Sequence, residues 1–134
     1  MSAIIRIGVK SDLPRVLELI KELAVFENAP NEVEVSVDEM MNWGFGQDKI
    51  FYFFVLEKES VIVGIAVYYY KYSTWKGKCL FLEDIIVTES ERKNGYGKLL
   101  FNEVVSVISS VDSIILSNIY RWLGLSRSPI YIHV

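Results

Sequence analysis

Apolar positions recur along this chain with two different periods, one typical of helices and one typical of strands. From Leu13 to about Phe26 the apolar residues return at helical spacing with charged residues between them, which predicts an amphipathic helix. Runs of β-branched and aromatic residues elsewhere predict strands. In chain order, the predicted elements are a strand at residues 4–9, helices at 13–26 and from about 36 to 44, strands at 51–56, 61–72 and 79–87, a helix from about 95 to 107, and a strand at 114–116. This order predicts an α/β domain in which helices flank a mixed sheet.

Local signals place several boundaries of these elements. Ser11 or Asp12 is the expected N-cap of the first helix, and Pro14 fits its first turn because no intrahelical N–H bond is lost there. Residues 36–39 form a capping-box pattern that begins the second helix. The polar residues 57–60 are few enough for a hairpin, so the strands on either side of them are expected to pair antiparallel.

Composition indicates one packed domain that spans residues 1–134. Hydrophobic residues make up 51% and charged residues 23% of the 134 positions, which suits a globular chain with one core. The longest apolar run, residues 61–70, is shorter than the roughly 18 residues that a membrane span needs. The N-terminus has no pattern of a secretory signal, so we expect a cytoplasmic protein without a membrane partner. Because the chain has one cysteine and one histidine, we expect neither a disulfide nor a metal site.

The charge is unevenly distributed along the chain. A net charge of -3 disfavours nucleic acid as a partner, since such binding needs a positive surface. Seven acidic residues lie between Glu22 and Asp48, with no Lys or Arg among them. Two interpretations stay open: a solvated acidic surface, or a negative rim that attracts a cationic substrate.

A strand followed at once by a glycine-containing loop and a helix is the most informative segment. Gly95 and Gly97 stand at the junction of loop and helix, where backbone N–H groups and the helix dipole can bind a phosphate. A dinucleotide fingerprint fits poorly, because Leu99 or Leu100 stands where the third glycine belongs. A P-loop also fits poorly, because Lys98 is followed by Leu99 and not by Ser or Thr.

The motif Arg-x-x-Gly-x-Gly from Arg92 to Gly97, after the strand Leu-Glu-Asp-Ile-Ile-Val at residues 82–87, resembles the acetyl-CoA motif of the GNAT superfamily. The resemblance is closest to spermidine/spermine N-acetyltransferases and their thialysine-acetylating relatives. It extends over residues 5 to about 107 and includes three further segments, at residues 20–27, 44–46 and 70–77. It implies a GNAT-like, mostly antiparallel sheet and transfer of an acetyl group from acetyl-CoA to a small cationic amine such as a polyamine. An amino acid or a protein N-terminus is the alternative acceptor.

The resemblance also implies roles for individual residues. The main chain of Ile85, Ile86 and Val87 would bind the pantetheine arm of acetyl-CoA. The residues that would wrap its pyrophosphate are Arg92, Lys93, Asn94, Gly95, Tyr96, Gly97 and Lys98. Phe26, Glu27, Glu83 and Asp84 would contact the amine, and Glu83 would accept its proton, since an ammonium must become neutral before it attacks a thioester.

The pattern of the family stops near the end of the chain, so residues 1–108 are family-like and residues 109–134 form an atypical tail. The last family strands are expected to be missing or altered, and neither Tyr120 nor Tyr131 stands in the context of the family's proton-donating tyrosine. A catalytically impaired module that binds acetyl-CoA is therefore the second interpretation. We also expect a homodimer, because a shortened sheet leaves an edge and apolar surface to cover.

Overall fold

In the computed structural model, residues 3–106, 113–116 and 130–133 are described. Within them a mixed sheet runs in the order β1-β2-β3-β4-β5-β6, antiparallel throughout except for the parallel pair β4 and β5. The strands are β1 (Ala3–Ile7), β2 (Tyr52–Lys58), β3 (Val61–Ser73), β4 (Gly77–Val87), β5 (Ser113–Leu116) and β6 (Ile130–His133), and the helices are α1 (Leu13–Phe26), α2 (Val37–Phe45) and α3 (Tyr96–Ser106). Short 3-10 turns lie at Lys10–Asp12 and Glu89–Glu91. The predicted α/β class, with helices on a mostly antiparallel sheet, is confirmed.

Helices cover both faces of the sheet and create two apolar clusters. On one face α3 contributes Leu100 and Val104, which pack with strand residues such as Leu82. On the other face α1 and α2 contribute residues such as Leu13 and Met40. Burial of both faces explains why β2 and β3 read as nearly continuous apolar runs and not as alternating ones.

The caps follow the sequence prediction at one helix and not at the other. The Ser36 hydroxyl accepts a hydrogen bond from the backbone N–H of Glu39 at 3.1 Å, so the predicted N-cap of α2 is confirmed. Asp12 occupies the N-cap position of α1 but makes no side-chain cap bond. Its carboxylate instead accepts two bonds from Arg6, at 2.8 and 2.9 Å, and one from the Val9 N–H. The reason is that this carboxylate is buried, and a buried charge requires a cationic partner more than a solvated helix end requires a cap.

The hairpin between β2 and β3 is tighter than the polar stretch suggests. Glu57 and Lys58 belong to β2, and the turn is Glu59 and Ser60, whose φ angles are 53° and 65°. Two-residue turns with positive φ match the twist of the strands that they join. The sequence prediction ended β2 too early because Glu57 and Lys58 are charged. In the folded sheet Glu57 pairs with Arg6 and Lys58 with Glu91, so both charges are compatible with a strand.

The strand β6 and the last residues of the chain stand apart from the sequence prediction. The sequence predicts no strand after residue 116, yet β6 pairs antiparallel with β5 from Ser113 with His133 to Leu116 with Ile130. The expectations for Tyr120 and for most of the atypical tail lie outside the described residues. Among the described helices, none has the length and apolar character to cross a membrane.

Candidate active site

A β-bulge in β4 positions the two acidic residues of the motif. Val67 of β3 pairs with Asp84, but the next residue, Tyr68, pairs with Leu82, so Glu83 is the extra residue on β4. The core shows the same interruption, because Leu82 and Ile85, three positions apart, pack in the same apolar cluster. A bulge bends its strand and redirects side chains, and bulges are frequent beside active sites.

The second half of β4 has a strand neighbour on only one side within the described residues. β3 pairs with β4 as far as Val87, whereas the parallel pairs with β5 end at Leu82 and Leu116. Because successive residues direct their main-chain groups to opposite edges, part of the N–H and C=O groups of Ile85 to Val87 lies on the edge that has no described strand neighbour. Such an edge can receive an extended ligand by main-chain hydrogen bonds, as a further strand would. This geometry is compatible with the predicted pantetheine role of these three residues, which stays a prediction.

A pocket of about 550 Å³ lies where β4 leads through a loop into α3. Its lining is formed by Ile85, Val87, Glu91, Arg92, Lys93, Gly95, Tyr96, Gly97, Lys98, Phe101 and Asn102. The first N–H groups of α3 have no partner within the helix, and they belong to residues that line this pocket. Arg92, Lys93 and Lys98 bring positive charge to it, and the negative charge of Glu91 is paired with Lys58 at 3.0 Å. The pocket is therefore suited to an anion.

The loop reaches this shape through two residues with left-handed backbone. Lys93 has a φ of 70° and Gly95 a φ of 77°. A Cβ atom on Gly95 would meet nothing within 4 Å, so glycine is required there for its conformation and not for space. The Gly95 carbonyl accepts the N–H of Leu99 at 3.1 Å and thereby begins α3.

Most of the predicted cofactor residues converge on this pocket, with two exceptions. The Ile86 side chain is fully buried in the cluster beneath α1 and α2, so only its main chain can face a ligand. Asn94 is absent from the lining, and its side-chain amide donates to the Glu91 carbonyl at 3.1 Å. Sequence reasoning missed Phe101 and Asn102, which stand one helical turn after Gly97 and Lys98 and could have been found from helical spacing.

The predicted amine-contacting carboxylates form a cluster at the bulge. Burial raises the pKa of Glu83 above its usual value. Burial, followed by the negative charges of Glu83 and Glu27, raises the pKa of Asp84 to about 7. Burial, then the charge of Glu83, also raises the pKa of Tyr69, a neighbour that sequence reasoning missed. Among the described residues, no Lys or Arg forms an ion pair with Glu27, Glu83 or Asp84. A positively charged ligand would therefore relieve the repulsion between these carboxylates.

Phe26, also predicted to contact the amine, lies against Arg92. The residue is 52% exposed, and the guanidinium carbon of Arg92 lies 4.9 Å from the centroid of its ring. Phe26 therefore contacts the loop before α3, and its contact with an amine stays a prediction. Among the described residues, no group of three or more His, Cys, Asp and Glu side chains could hold a metal ion.

Comparisons with known proteins agree with this arrangement. Residues 15–116 match a family model described as "Acetyltransferase (GNAT) family". The chain is 37% identical over 100 residues to spermidine/spermine N(1)-acetyltransferase-like protein 1 of Homo sapiens, a match that covers 69% of this chain and 14% of that protein. It is 33% identical over 114 residues to thialysine N-epsilon-acetyltransferase of Sus scrofa, covering 79% of this chain and 67% of that protein. The chain thus spans a small part of the human relative and about two thirds of the pig relative.

The fold also matches a solved structure over its whole length. A possible acetyltransferase from Clostridium difficile 630 superposes with a TM-score of 0.73 and covers 100% of this chain and 97% of that chain. The sequence identity is 18%, so this likeness concerns the fold.

Proposed function

The chain belongs to the GNAT acetyltransferase family, and from this premise we propose that it transfers the acetyl group of acetyl-CoA to a primary amine of a polyamine or a similar small cationic amine. The observation that carries the proposal is the cluster of Glu83, Asp84 and Glu27 beside the strand edge that leads to the anion pocket. One end of β4 then serves an anionic cosubstrate and the bulge serves a cation. The names of the two curated relatives, a spermidine/spermine acetyltransferase-like protein and a thialysine acetyltransferase, support a small amine as acceptor.

On the cosubstrate side, the main chain of Ile85 to Val87 would hydrogen-bond the pantetheine arm. The first turn of α3, with the side chains of Lys93 and Lys98, would neutralise the pyrophosphate, because helix N-termini and lysines both favour an anion. This arrangement would place the thioester along β4, toward the bulge that carries Glu83.

On the amine side, the carboxylates would act before and during attack. A primary amine arrives as an ammonium, which Asp84 and Glu27 would hold by charge. Glu83 would take one proton, directly or through water, and the neutral nitrogen would attack the thioester carbonyl carbon. A C–N bond forms and the C–S bond breaks, and the second proton that the nitrogen must lose passes, directly or through water, to the departing thiolate. The raised pKa of Glu83 suits this role, because a base works best when its pKa approaches the working pH.

A second candidate is a module that binds acetyl-CoA without efficient turnover. It is favoured by the sequence after residue 109, where the family's tyrosine context is missing. If the protein is an active acetyltransferase, an amino acid and a protein N-terminus are the alternative acceptors to a polyamine. Cytoplasmic location and a homodimer complete the proposal.

The decisive measurement follows free thiol release from acetyl-CoA in the presence of spermidine, with CoA binding measured by calorimetry on the same sample. For Glu83→Gln we expect kcat to fall by roughly a hundredfold, the usual contribution of a general base, while the affinity for CoA stays within about twofold of the wild type. Glu34→Gln is the matched control, because Glu34 is exposed and lies outside the helices and strands.

Each result separates the candidates. Thiol release that persists at wild-type rate in Glu83→Gln would remove Glu83 from catalysis. CoA binding without release from any amine would establish the second candidate, and absence of CoA binding would contradict both.

A further inference from the structure

Glu22, in the last turns of α1, makes contacts that the proposed transfer reaction does not use. Its carboxylate accepts the backbone N–H of Glu89 at 2.8 Å and the hydroxyl of Thr88 at 3.0 and 3.2 Å. Both donors belong to the loop that follows β4, 66 and 67 positions away in the chain. Glu22 thus joins α1 to the beginning of the loop that forms the anion pocket.

Arg92, the first residue of the Arg-x-x-Gly-x-Gly motif, belongs to the same set of contacts. Its Nε donates to the Val87 carbonyl at 2.9 Å, and its Nη2 lies 3.7 Å from Glu22 Oε1. Its guanidinium also stacks on Phe26, one turn after Glu22 on α1. The guanidinium is therefore already engaged by the end of β4 and by one face of α1.

The strengths of these contacts differ. The ion pair between Glu22 and Arg92 is long and partly exposed, and pairs of this kind contribute little. The short bond from the Glu89 N–H to a carboxylate is the stronger one, because hydrogen bonds to charged groups exceed neutral ones. Glu22 consequently acts mainly on the backbone of the loop. Through that backbone it fixes the positions of Lys93, Gly95 and the N-terminus of α3.

We propose that Glu22 is a positioning residue that holds residues 88–92 in the shape that receives the pyrophosphate of acetyl-CoA. This inference rests on the proposed function, since it assigns the pocket to that cosubstrate. Arg92 would then support the loop through its contacts with Val87 and Phe26. The positive charge that neutralises the phosphates would come chiefly from Lys93, Lys98 and the α3 N-terminus. Glu27, the C-cap residue of α1, acts by its charge on Asp84, so the C-terminal end of this helix would support both halves of the site.

The test compares two acetyl donors, of which only acetyl-CoA carries the pyrophosphate and the adenosine 3′-phosphate attached to it. We expect Glu22→Ala to lower kcat/KM for acetyl-CoA roughly tenfold, through KM, as loss of a hydrogen bond to a charged group implies. With S-acetylpantetheine, which has the thioester arm but no pyrophosphate, the same variant should stay within about twofold of the wild type. Glu22→Gln keeps an oxygen that can accept from Thr88 and Glu89, so its kcat/KM for acetyl-CoA should lie between those of the wild type and Glu22→Ala.

Glu18→Gln is the matched control, because Glu18 lies one turn earlier on α1, is exposed, and pairs only with Arg15 among the described residues. An equal loss with both donors would show a general structural role and overturn the inference. Equal kcat/KM for wild type and Glu22→Ala with acetyl-CoA would overturn it as well.

Calorimetry keeps this inference distinguishable from the proposed function. If the wild type binds CoA without turnover, the expectation becomes a roughly tenfold higher Kd of Glu22→Ala for CoA, and an unchanged Kd refutes it. A wild type that binds no CoA would refute the proposed function, and the positioning role with it.

Discussion

Asp84 lies partly buried beside two other carboxylates, and its pKa is raised to about 7, first by burial and then by the charges of Glu83 and Glu27. A carboxylate in this position is unfavourable for the folded protein at neutral pH, because its ionised form loses hydration and gains repulsion. A positive ligand removes the repulsion. Residue-scale strain of this kind is common where a site is prepared for a charge that arrives later.

Asp84→Asn is therefore expected to stabilise the fold in a pH-dependent way. The pKa in the folded state, about 7, exceeds the ordinary value of 3.8, so the folded protein binds the proton more tightly than the unfolded chain. The stability that this carboxyl gives is complete below about 3.8 and is lost as the pH rises through about 7. Above that pH the variant should have a Tm higher than the wild type by roughly 3 °C or more, while acetylation of spermidine falls.

Thermal unfolding at several pH values checks this expectation. The gain in Tm should shrink as the pH falls toward about 4. Asp48→Asn serves as the control, since Asp48 is exposed in a loop. A gain that is equal at every pH would show that the ionisation of Asp84 is not its cause.

Some site residues could be predicted from the sequence and others could not, for physical reasons. The glycines could be predicted from their place between a strand and a helix, whereas the roles of Glu83 and Asp84 come from the resemblance to the GNAT superfamily and stay predictions. Tyr69 could not be predicted, since it approaches Glu83 only through strand pairing. The contacts of Glu22 were equally hidden, because they join positions more than sixty residues apart.

At the scale of elements, the bulge in β4 and the loop before α3 determine the site together. The bulge is visible in the sequence. The buried residues of β4 on the α3 face fall at even positions up to Leu82 and at odd positions from Ile85 onward. A strict alternation would have placed Ile85 on the opposite face. The polar boundary of β2 was misplaced for a related reason, since Glu57 and Lys58 gain partners only in the folded sheet.

Gly95 tests the loop at this scale. Because its φ is 77° and a Cβ there would touch nothing, Gly95→Ala should cost about 1–2 kcal/mol of stability through the backbone alone, and a loop that relaxes to avoid this strain should bind CoA less tightly. Gly95→Asn should cost less, because asparagine tolerates the left-handed region better than alanine. Urea unfolding and CoA calorimetry on both variants measure the two effects. Equal losses for Ala and Asn would point to the side chain's presence and not to its conformational preference.

At the scale of the whole molecule, the two-sided sheet lets α1 reach both the loop before α3 and the carboxylates at the bulge, the two places to which we assign the cosubstrate and the amine. α1 lies on one face and α3 on the other, and the C-terminal turns of α1 contact the loop that leads from β4 to α3. The α/β class and the element order were predictable, since apolar periodicity reports which surfaces are buried. The strand β6 was not predicted: it is as short as β5, and only its pairing with β5 identifies Ile130–His133 as a strand.

The proposed homodimer is a property of the whole molecule, and exposed aromatic surface gives it a physical reason. Tyr72 and Trp75, at the hairpin between β3 and β4, are 75% and 91% exposed. Large apolar side chains grouped on a surface favour contact with another protein surface. Light scattering after size-exclusion chromatography should therefore give about twice the chain mass of 15.4 kDa at micromolar concentration.

Trp75→Lys should shift the protein toward the monomer, whereas Ile4→Lys on the edge strand β1 should leave the mass unchanged. A wild-type monomer would contradict the dimer, and a dimer that Trp75→Lys leaves intact would remove the hairpin from its interface.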